Sequence, residues 1–537
     1  MYECPNCSAN LKYNISKQAL FCEHCETTMD PYSFHKESDA EESLSFGVTV
    51  FTCPQCGGEL MTDDTTAATF CSFCGSSTIL DSRVSKEKCP DYIIPFSLDE
   101  EACKKSYKKM MRRAIFAPKE LSDPEQIKKF RGIYMPYWVY SLSRKGTTTF
   151  DAERSSRRGD YIHTKHYDLE CDLDMEYNGI AYDASSSFYD SLSNAIAPFH
   201  TNTAKAFHPS YLSGFYADTS DVEGYLYTDD AYNVAWEDAI NRIHKKSVFF
   251  SYKKPTDTSL KRALPFLETS QRLALFPVWF LSYKKDDRVT YAVINGQNGR
   301  AAADLPVDKK KYILGSGLLT IPIFILLNIL FTIKPTTLLW LSILLAFICI
   351  IMANGHLTNI KERETLSNDK GFMSKEEGFL LPPTEHHSKT SVFSILKPVL
   401  SIVLYVTIPL LIMLQFAGAL SAENLVTILP YLGMICLPVL PLVIIVPLIQ
   451  SKTTSRKKKP RIPIKEKLPF MKYPLISILL AIVILIWNPV HNLFYYIGVI
   501  VCMIMLAMTF TDLIELHNRF TTRKLPQLNK RGGDEYV

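Results

Sequence analysis

Cys4-Pro5-Asn6-Cys7, fourteen residues, then Cys22-Glu23-His24-Cys25; Cys53-Pro54-Gln55-Cys56, fourteen residues, then Cys71-Ser72-Phe73-Cys74: the N-terminal fold is read from these two lines. The step from Cys4 to Cys53 is 49 residues, and the step from Cys25 to Cys74 is the same, so the unit is duplicated. Two cysteines three apart on a tight turn aim both sulfurs at one point. Two such turns joined by a short hairpin complete a four-sulfur tetrahedron, the shell of a structural zinc ion. The spacing therefore predicts two tandem zinc ribbons. Their ligands are Cys4, Cys7, Cys22 and Cys25, then Cys53, Cys56, Cys71 and Cys74. Sequential pairing suits the duplication, and a cross-braced pairing is the alternative that spacing leaves open.

Four thiolates on Zn²⁺ carry a formal charge of −2, which turn N–H groups and nearby cations must offset. Gly57 and Gly75 follow the last cysteine of each knuckle in the second unit, where a left-handed residue opens those N–H groups toward sulfur. Ser8 and Glu26 stand there in the first, so looser knuckles are expected. A redox site needs one CxxC rather than four, and disulfides need an oxidising compartment. A closed four-sulfur shell has no open position for water, which speaks against catalysis at these metals. Cys89, Cys103, Cys171, Cys349, Cys436 and Cys502 lack partners at ligand spacing and read as ordinary buried thiols. Met1-Tyr2-Glu3 runs straight into ligand spacing, so no secretory signal is expected there and reduced thiols place this half in the cytosol.

Length and hydropathy extend the reading outward. A chain of 537 residues exceeds one core, and the mean hydropathy of +0.01 hides a split between a polar half and a half of long apolar runs. The net charge of +4 is mild. The expected fold class is multidomain: tandem Cys4 zinc ribbons (small β), an α+β cytosolic domain, and an all-α six-helix transmembrane domain. The expected bounds are ribbons at 1–35 and 50–82 with a linker at 36–49, the α+β domain at 90–311, the membrane domain at 312–511, and a cytosolic tail at 512–537.

In the α+β part, a helix is expected from Ser97, as its cap, to Ala114, with Glu100 and Glu101 in its first turn. A second is expected over Asp229–Lys245, with Val234, Ala235, Ala239, Ile240 and Ile243 on one stripe. Pro136-Tyr137-Trp138 is echoed by Pro277-Val278-Trp279, each run opening a strand, and Asn295-Gly296 reads as a hairpin turn with positive φ. Catalytic signals are poor. His163, His166, His200 and His208 have no matching acid or cysteine pattern, and Asp172 and Asp174 alternate onto what reads as a solvated face. No phosphate loop, nucleophile elbow or H-E-x-x-H helix occurs, so no catalytic or cofactor-binding residue is assigned and an enzyme is not expected.

Six apolar runs follow: Tyr312–Ile333, Thr336–Asn354, Ser394–Ala417, Leu425–Ile449, Tyr473–Asn488 and Asn492–Thr511. Basic residues cluster before the third run, between the fourth and fifth (Arg456-Lys457-Lys458-Lys459-Pro460-Arg461) and in the tail, which predicts six spans of a multi-pass cell-membrane protein with both termini cytoplasmic. A transporter usually keeps ionisable residues within its spans, and these runs have essentially none at depth.

The order of parts resembles a bacterial family of multi-pass membrane proteins with N-terminal TFIIB-type zinc ribbons, sometimes labelled primosomal-helicase-like. The resemblance rests on Cys53-Pro54-Gln55-Cys56-Gly57-Gly58-Glu59-Leu60, Cys71-Ser72-Phe73-Cys74-Gly75, Ile94-Pro95-Phe96, Gly132–Trp138, Tyr211–Ala217, Pro277-Val278-Trp279 and Asn295–Arg300, and covers about residues 1–311. It implies an adaptor or scaffold whose protein partners are phage-shock-protein-A-like or flotillin-like membrane-organising proteins. Two other readings stand beside it, a membrane-tethered nucleic-acid-binding ribbon protein and a transporter component. Residues 1–82 carry many acids (Glu3, Glu23, Glu26, Asp30, Asp39, Glu41, Glu42, Asp63, Asp64) against Lys12, Lys17 and Lys36, so phosphate binding is disfavoured. Oligomeric state is not read from these features.

Overall fold

The computed structural model describes residues 2–33, 45–62, 71–74, 81–246, 252, 257–330, 335–364, 369–371 and 464–524. It divides into two compact units: Met1–Pro306 with Leu366–Phe379 and Thr521–Val537, and Val307–Thr365 with Leu380–Phe520.

The first unit begins with three short strands, β1 (Leu11–Asn14), β2 (Ala19–Cys22) and β3 (Thr28–Met29), paired antiparallel as one small sheet. A twelve-stranded mixed sheet takes the rest. Its strands are β4 (Ser45–Thr52), β5 (Glu59–Thr62), β6 (Asp81–Lys88), β7 (Tyr92–Ile93), β8 (Arg131–Arg158), β9 (Tyr161–Asp183), β10 (Lys205–Ala206), β11 (Tyr216–Asp218), β12 (Leu267–Lys285), β13 (Arg288–Asn295), β14 (Ala301–Ala303) and β15 (Arg523–Lys524). Five helices accompany them: α1 (Glu100–Arg113), α2 (Pro124–Ile127), α3 (Asp190–Ile196), α4 (Thr228–His244) and α5 (Asp257–Ala263).

The two proline–tryptophan runs form the centre of this sheet. β8 and β12 pair antiparallel with Pro136 opposite Leu275 and Pro277 opposite Tyr134. Gly132–Trp138 and Leu273–Ser282 are buried without a break, as strands covered on both faces must be. Alternation then divides the side chains. Tyr134, Leu275, Trp279 and Leu281 enter one core with α1 and the first small sheet. Ile133, Met135, Tyr137, Phe276, Val278 and Phe280 enter another with the second cysteine group and α3. Each tryptophan keeps its indole N–H satisfied, Trp138 donating to the Val222 carbonyl at 2.7 Å and Trp279 to that of Leu98 at 3.0 Å.

Several local expectations shift by a residue or two. Asp99, not Ser97, caps α1, accepting from the Ala102 N–H at 2.8 Å, so the helix starts at Glu100. Along α4, Ala231 joins Ala235, Ala239, Ile240 and Ile243 in the buried stripe, while Val234 is exposed. The turn after Asn295 is longer than a two-residue hairpin: Gly299 takes the positive φ of 75°. Gly296 serves close approach instead, since a Cβ there would lie 2.6 Å from the Phe96 ring.

The second unit is helical: α6 (Lys309–Leu330), α7 (Pro335–Glu364), α8 (Ile464–Trp487) and α9 (Asn492–Thr521). Close packing uses small residues. Ala346, Cys349 and Ala353 of α7 meet Leu506, Leu513 and Leu516 of α9, and Gly498 admits Ile484. Ile476, Leu479, Ile482, Val483 and Ile486 of α8 are exposed, as a lipid-facing surface would be.

The six-helix expectation is overturned. Among the described residues three helical stretches, not six, are long and apolar enough to cross a membrane: Thr336–Arg363, Lys467–Trp487 and Asn492–Thr521. The runs Ser394–Ala417 and Leu425–Ile449 lie outside the described residues. The other four runs lie on α6 to α9, and α6, the helix of the first run, is not among the three stretches. The fold class is corrected in a second respect. The second cysteine unit is not a free-standing small β ribbon, because β5 pairs with β11 (Ala217 opposite Met61) and carries β4 and β6 into the large sheet.

Candidate metal centres

The structure brings the eight cysteines together in two sequential groups, Cys4, Cys7, Cys22 and Cys25, and Cys53, Cys56, Cys71 and Cys74. Within each group one sulfur per residue lies within 4.8 Å of all the others. In the first group Cys4 and Cys25 are 3.4 Å apart, Cys7 and Cys22 3.4 Å, and Cys7 and Cys25 3.3 Å. In the second, Cys53 and Cys74 are 3.8 Å apart and Cys56 and Cys71 3.6 Å. Metal–sulfur bonds of about 2.3 Å in a tetrahedron require sulfurs about 3.8 Å apart, so both groups could hold a metal ion. All eight are free thiols, well beyond disulfide length.

The knuckles explain the aim. In the first, the Ser8 N–H donates to the Cys4 carbonyl at 2.8 Å and the Cys4 N–H to the Ala9 carbonyl at 2.8 Å. The same turn recurs at Glu26 on Cys22, at 2.9 Å, and at Gly57 on Cys53, at 2.7 Å. The left-handed position is filled in each case, with φ of 58° at Ser8, 60° at Glu26 and 72° at Gly57. The expected looseness of the first unit is therefore replaced by strain, since two side-chain-bearing residues occupy a conformation glycine takes freely.

Donors converge on sulfur as the charge argument requires. The Gly58 N–H donates to Cys56 Sγ at 3.4 Å, and the Thr27 hydroxyl lies 3.1 Å from Cys25 Sγ. Hydrogen bonds from the Thr27 side chain and backbone, with the Cys7 thiol, draw Cys25 down to about 6. The Cys71 thiol does the same for Cys53, also to about 6. Each group thus starts with one thiol inclined to the thiolate a metal needs.

Burial separates the two. Cys53, Cys56, Cys71 and Cys74 are wholly buried and share a core with Ile133, Phe276 and Phe280. Phe73, between the last two ligands, packs on Phe280 and accepts from the Tyr291 hydroxyl at 2.7 Å. The first group buries Cys4 and Cys22 but leaves Cys7 half-buried and Cys25 exposed. Its hairpin is tied down at the other end. The Tyr13 N–H donates to the Ser213 carbonyl at 3.0 Å, the Ser213 hydroxyl to that of Leu11 at 2.6 Å, and Gln18 Nε2 to that of Phe96 at 2.7 Å.

The remaining candidates do not assemble. His163 and His166 lie exposed near the tip of the β8–β9 hairpin, with His166 3.8 Å from Glu153. His208 caps a short turn through Ser210, and the His200 backbone donates to Gln297. Asp172 and Asp174 are exposed on one face of β9, Asp174 lying 3.6 Å from Lys145. Cys103, Cys349 and Cys502 are buried, Cys89 and Cys171 half-buried, and Cys436 lies outside the described residues. Sequence reasoning missed a set of carboxyls, buried Asp183 and Asp369 with half-buried Asp190, which carries no spacing signal because its members come from three separate segments.

The chain thus joins a mixed-sheet unit holding two four-cysteine groups to a unit of apolar helices of membrane-spanning length. No family model matches it, and no solved structure does. It is similar to the uncharacterised protein YdjG of Bacillus subtilis (strain 168), at 26% identity over 315 residues, which are 58% of this chain and 91% of that one.

Proposed function

We propose that the protein is a membrane-anchored zinc-ribbon adaptor in which each four-cysteine group holds one structural zinc ion. The observation that carries this is the asymmetry of the groups: one is sealed in the core, while the other is fixed at its base and open at its metal end. A four-sulfur shell leaves no place for a reacting water, so these metals shape a surface rather than activate a nucleophile. That surface is acidic. Glu23 and Glu26 are exposed beside Cys22 and Cys25, and nearby Lys12 is already paired with Glu23 at 3.1 Å. Such a face suits a protein partner with basic side chains better than a phosphate backbone. Free thiols at metal spacing fit a reducing compartment, which favours the cytosolic side for the sheet unit. The family resemblance favours phage-shock-protein-A-like or flotillin-like partners.

The test is in-membrane crosslinking followed by capture of the full-length chain. The expected catch is a membrane-organising protein, lost in the Glu23→Lys/Glu26→Lys variant while both metals stay bound. A nucleic acid released by moderate salt as the main catch would overturn the reading.

A further inference from the structure

β8 and β9 pair with each other well beyond the rest of the sheet. β12 leaves β8 at Ser143, while the β8–β9 ladder runs on to Arg158 opposite Tyr161. It closes in a two-residue turn, Gly159-Asp160, with Gly159 at a φ of 60°. The root of this ribbon is held by the core. Phe150 and Ala152 are buried, the Thr148 hydroxyl donates to the Ala263 carbonyl at 2.8 Å, and Tyr167 packs on Tyr252 with ring centres 5.2 Å apart. Beyond that root every residue from Arg154 to His166 is exposed. At about 3.4 Å per residue, Arg154–Arg158 and its partner strand make an arm about 17 Å long.

The ladder register sorts the arm's side chains by face, since residues directly opposite each other share one. Arg154 stands opposite Lys165, Ser156 opposite His163 and Arg158 opposite Tyr161, so one face carries three cations and no acid. It continues the face on which Phe150 and Ala152 are buried, past the point where the core ends. The other face carries Arg157 opposite Ile162, and the Ser155 and Thr164 hydroxyls 2.9 Å apart. Asp160, in the turn, is the one acid between Arg154 and His166. Among the described residues no acid pairs with Arg154, Arg157, Arg158 or Lys165; Arg157 Nε donates to the Gly159 carbonyl at 3.0 Å. The two large apolar side chains next to the turn are the most open of the arm, Tyr161 at 76% and Ile162 at 71% exposure.

We propose that the β8–β9 tip is a lipid-docking arm, with Tyr161 and Ile162 entering the interface of an anionic bilayer while Arg154, Arg157, Arg158 and Lys165 meet its headgroups. Charge complementarity supplies the attraction, at about fivefold in affinity per cation near such a surface. Two features favour a bilayer over other polyanions. Tyr161 and Ile162 lie on opposite faces of the ribbon, so a protein groove covering one face would leave the other wet, whereas an interface surrounds both. Below the tip the charge reverses: Asp168, Glu170, Asp172, Asp174 and Glu176 alternate onto the Ile162 face and are exposed, Lys145 lying 3.6 Å from Asp174. A nucleic acid lying along the arm would meet that acidic stretch, while a flat surface touched end-on meets the cations alone. Helices of membrane-spanning length in the same chain keep a lipid surface at hand.

The test is vesicle flotation of the full-length protein held in phosphatidylcholine nanodiscs. Vesicles of phosphatidylcholine with phosphatidylglycerol are expected to carry it up, and vesicles of phosphatidylcholine alone are not. Binding should weaken as salt is raised. Arg154→Gln/Arg158→Gln/Lys165→Gln should lower the affinity on the order of 100-fold. Tyr161→Ser/Ile162→Ser should keep the lipid preference but bind more weakly and lose all binding at high salt. These five positions are exposed, so both variants should keep the thermal transition of the native chain, which calorimetry checks. Equal flotation with neutral vesicles would overturn the proposal, as would undiminished binding by the triple variant. So would a preference for duplex DNA over phosphatidylglycerol vesicles that the triple variant abolishes.

Discussion

The two cysteine groups have one ligand spacing and opposite surroundings. They sit with different cores on either face of the β8–β12 pair, the first with Tyr134 and Trp279, the second with Ile133, Phe276 and Phe280. The first is an appendage whose own three strands make a separate sheet. The second has lost that independence, because β4, β5 and β6 are strands of the large sheet and all four of its sulfurs lie inside the core. A duplicated motif has thus been put to two uses. On the proposed reading one copy is a keystone and the other a surface, and the difference lies in which strands its hairpin pairs with rather than in its ligand set.

Removing ligands should break this comparison most visibly. Structural zinc contributes on the order of 10 kcal/mol, comparable with the whole stability of an ordinary domain at about 5–15 kcal/mol. Cys53→Ser/Cys56→Ser is therefore expected to abolish the main thermal transition of the sheet unit in the full-length protein. Cys4→Ser/Cys7→Ser should leave that transition in place and increase exchange only over about residues 2–33. Equal damage from the two double variants, followed by calorimetry and hydrogen exchange, would mean that the first group is a keystone as well.

Metal release should sharpen the contrast by rate. Cys25 is exposed and its partner Cys7 half-buried, whereas a chelator reaches the second group only after the core opens. Total zinc is expected at two ions per chain, leaving in two phases under chelation. The fast phase should proceed with the near-ultraviolet spectrum of the aromatic core unchanged. The slow phase should follow global unfolding and share its temperature dependence. A single phase for both ions would erase the distinction.

How far all this was legible in the sequence follows from what sequence patterns encode. The grouping of the cysteines was legible, because CxxC spacing is a local geometric constraint and Cys4–Cys25 and Cys53–Cys74 each close on themselves. The proline–tryptophan runs were legible as strands, though not as each other's antiparallel neighbours, which is a long-range pairing across about 140 residues. Merger of the second ribbon with the sheet was not legible either. It depends on Ala217 meeting Met61, and nothing in Glu59–Thr62 distinguishes a strand that ends a ribbon from one that continues a sheet. The membrane half was legible as apolar helices, since α6 to α9 carry four of the runs, but not in its span count, which among the described residues is three. The carboxyl set at α3 was invisible because Asp183, Asp190 and Asp369 are single acids of ordinary context until folding brings them together, with Asp183 and Asp369 buried.

The smallest effect concerns the knuckles, where the copies differ by one side chain at a shared backbone conformation. Ser8 and Glu26 hold φ near +60°, while Gly57 occupies the equivalent place at 72°. A left-handed conformation costs a residue with a Cβ about 1–2 kcal/mol, and glycine almost nothing. Glycine also loses more backbone entropy on folding, which takes back about 0.5–1 kcal/mol of that gain. Ser8→Gly and Glu26→Gly are each expected to leave a net gain of up to about 1 kcal/mol, read as slower release of the fast-phase zinc. Gly57→Ser in the second group should run the other way by the same argument and lower the main transition slightly. If Ser8→Gly instead weakened the first site, the serine would be serving that knuckle through its side chain, and the copies would differ in their turns as well as in what surrounds them.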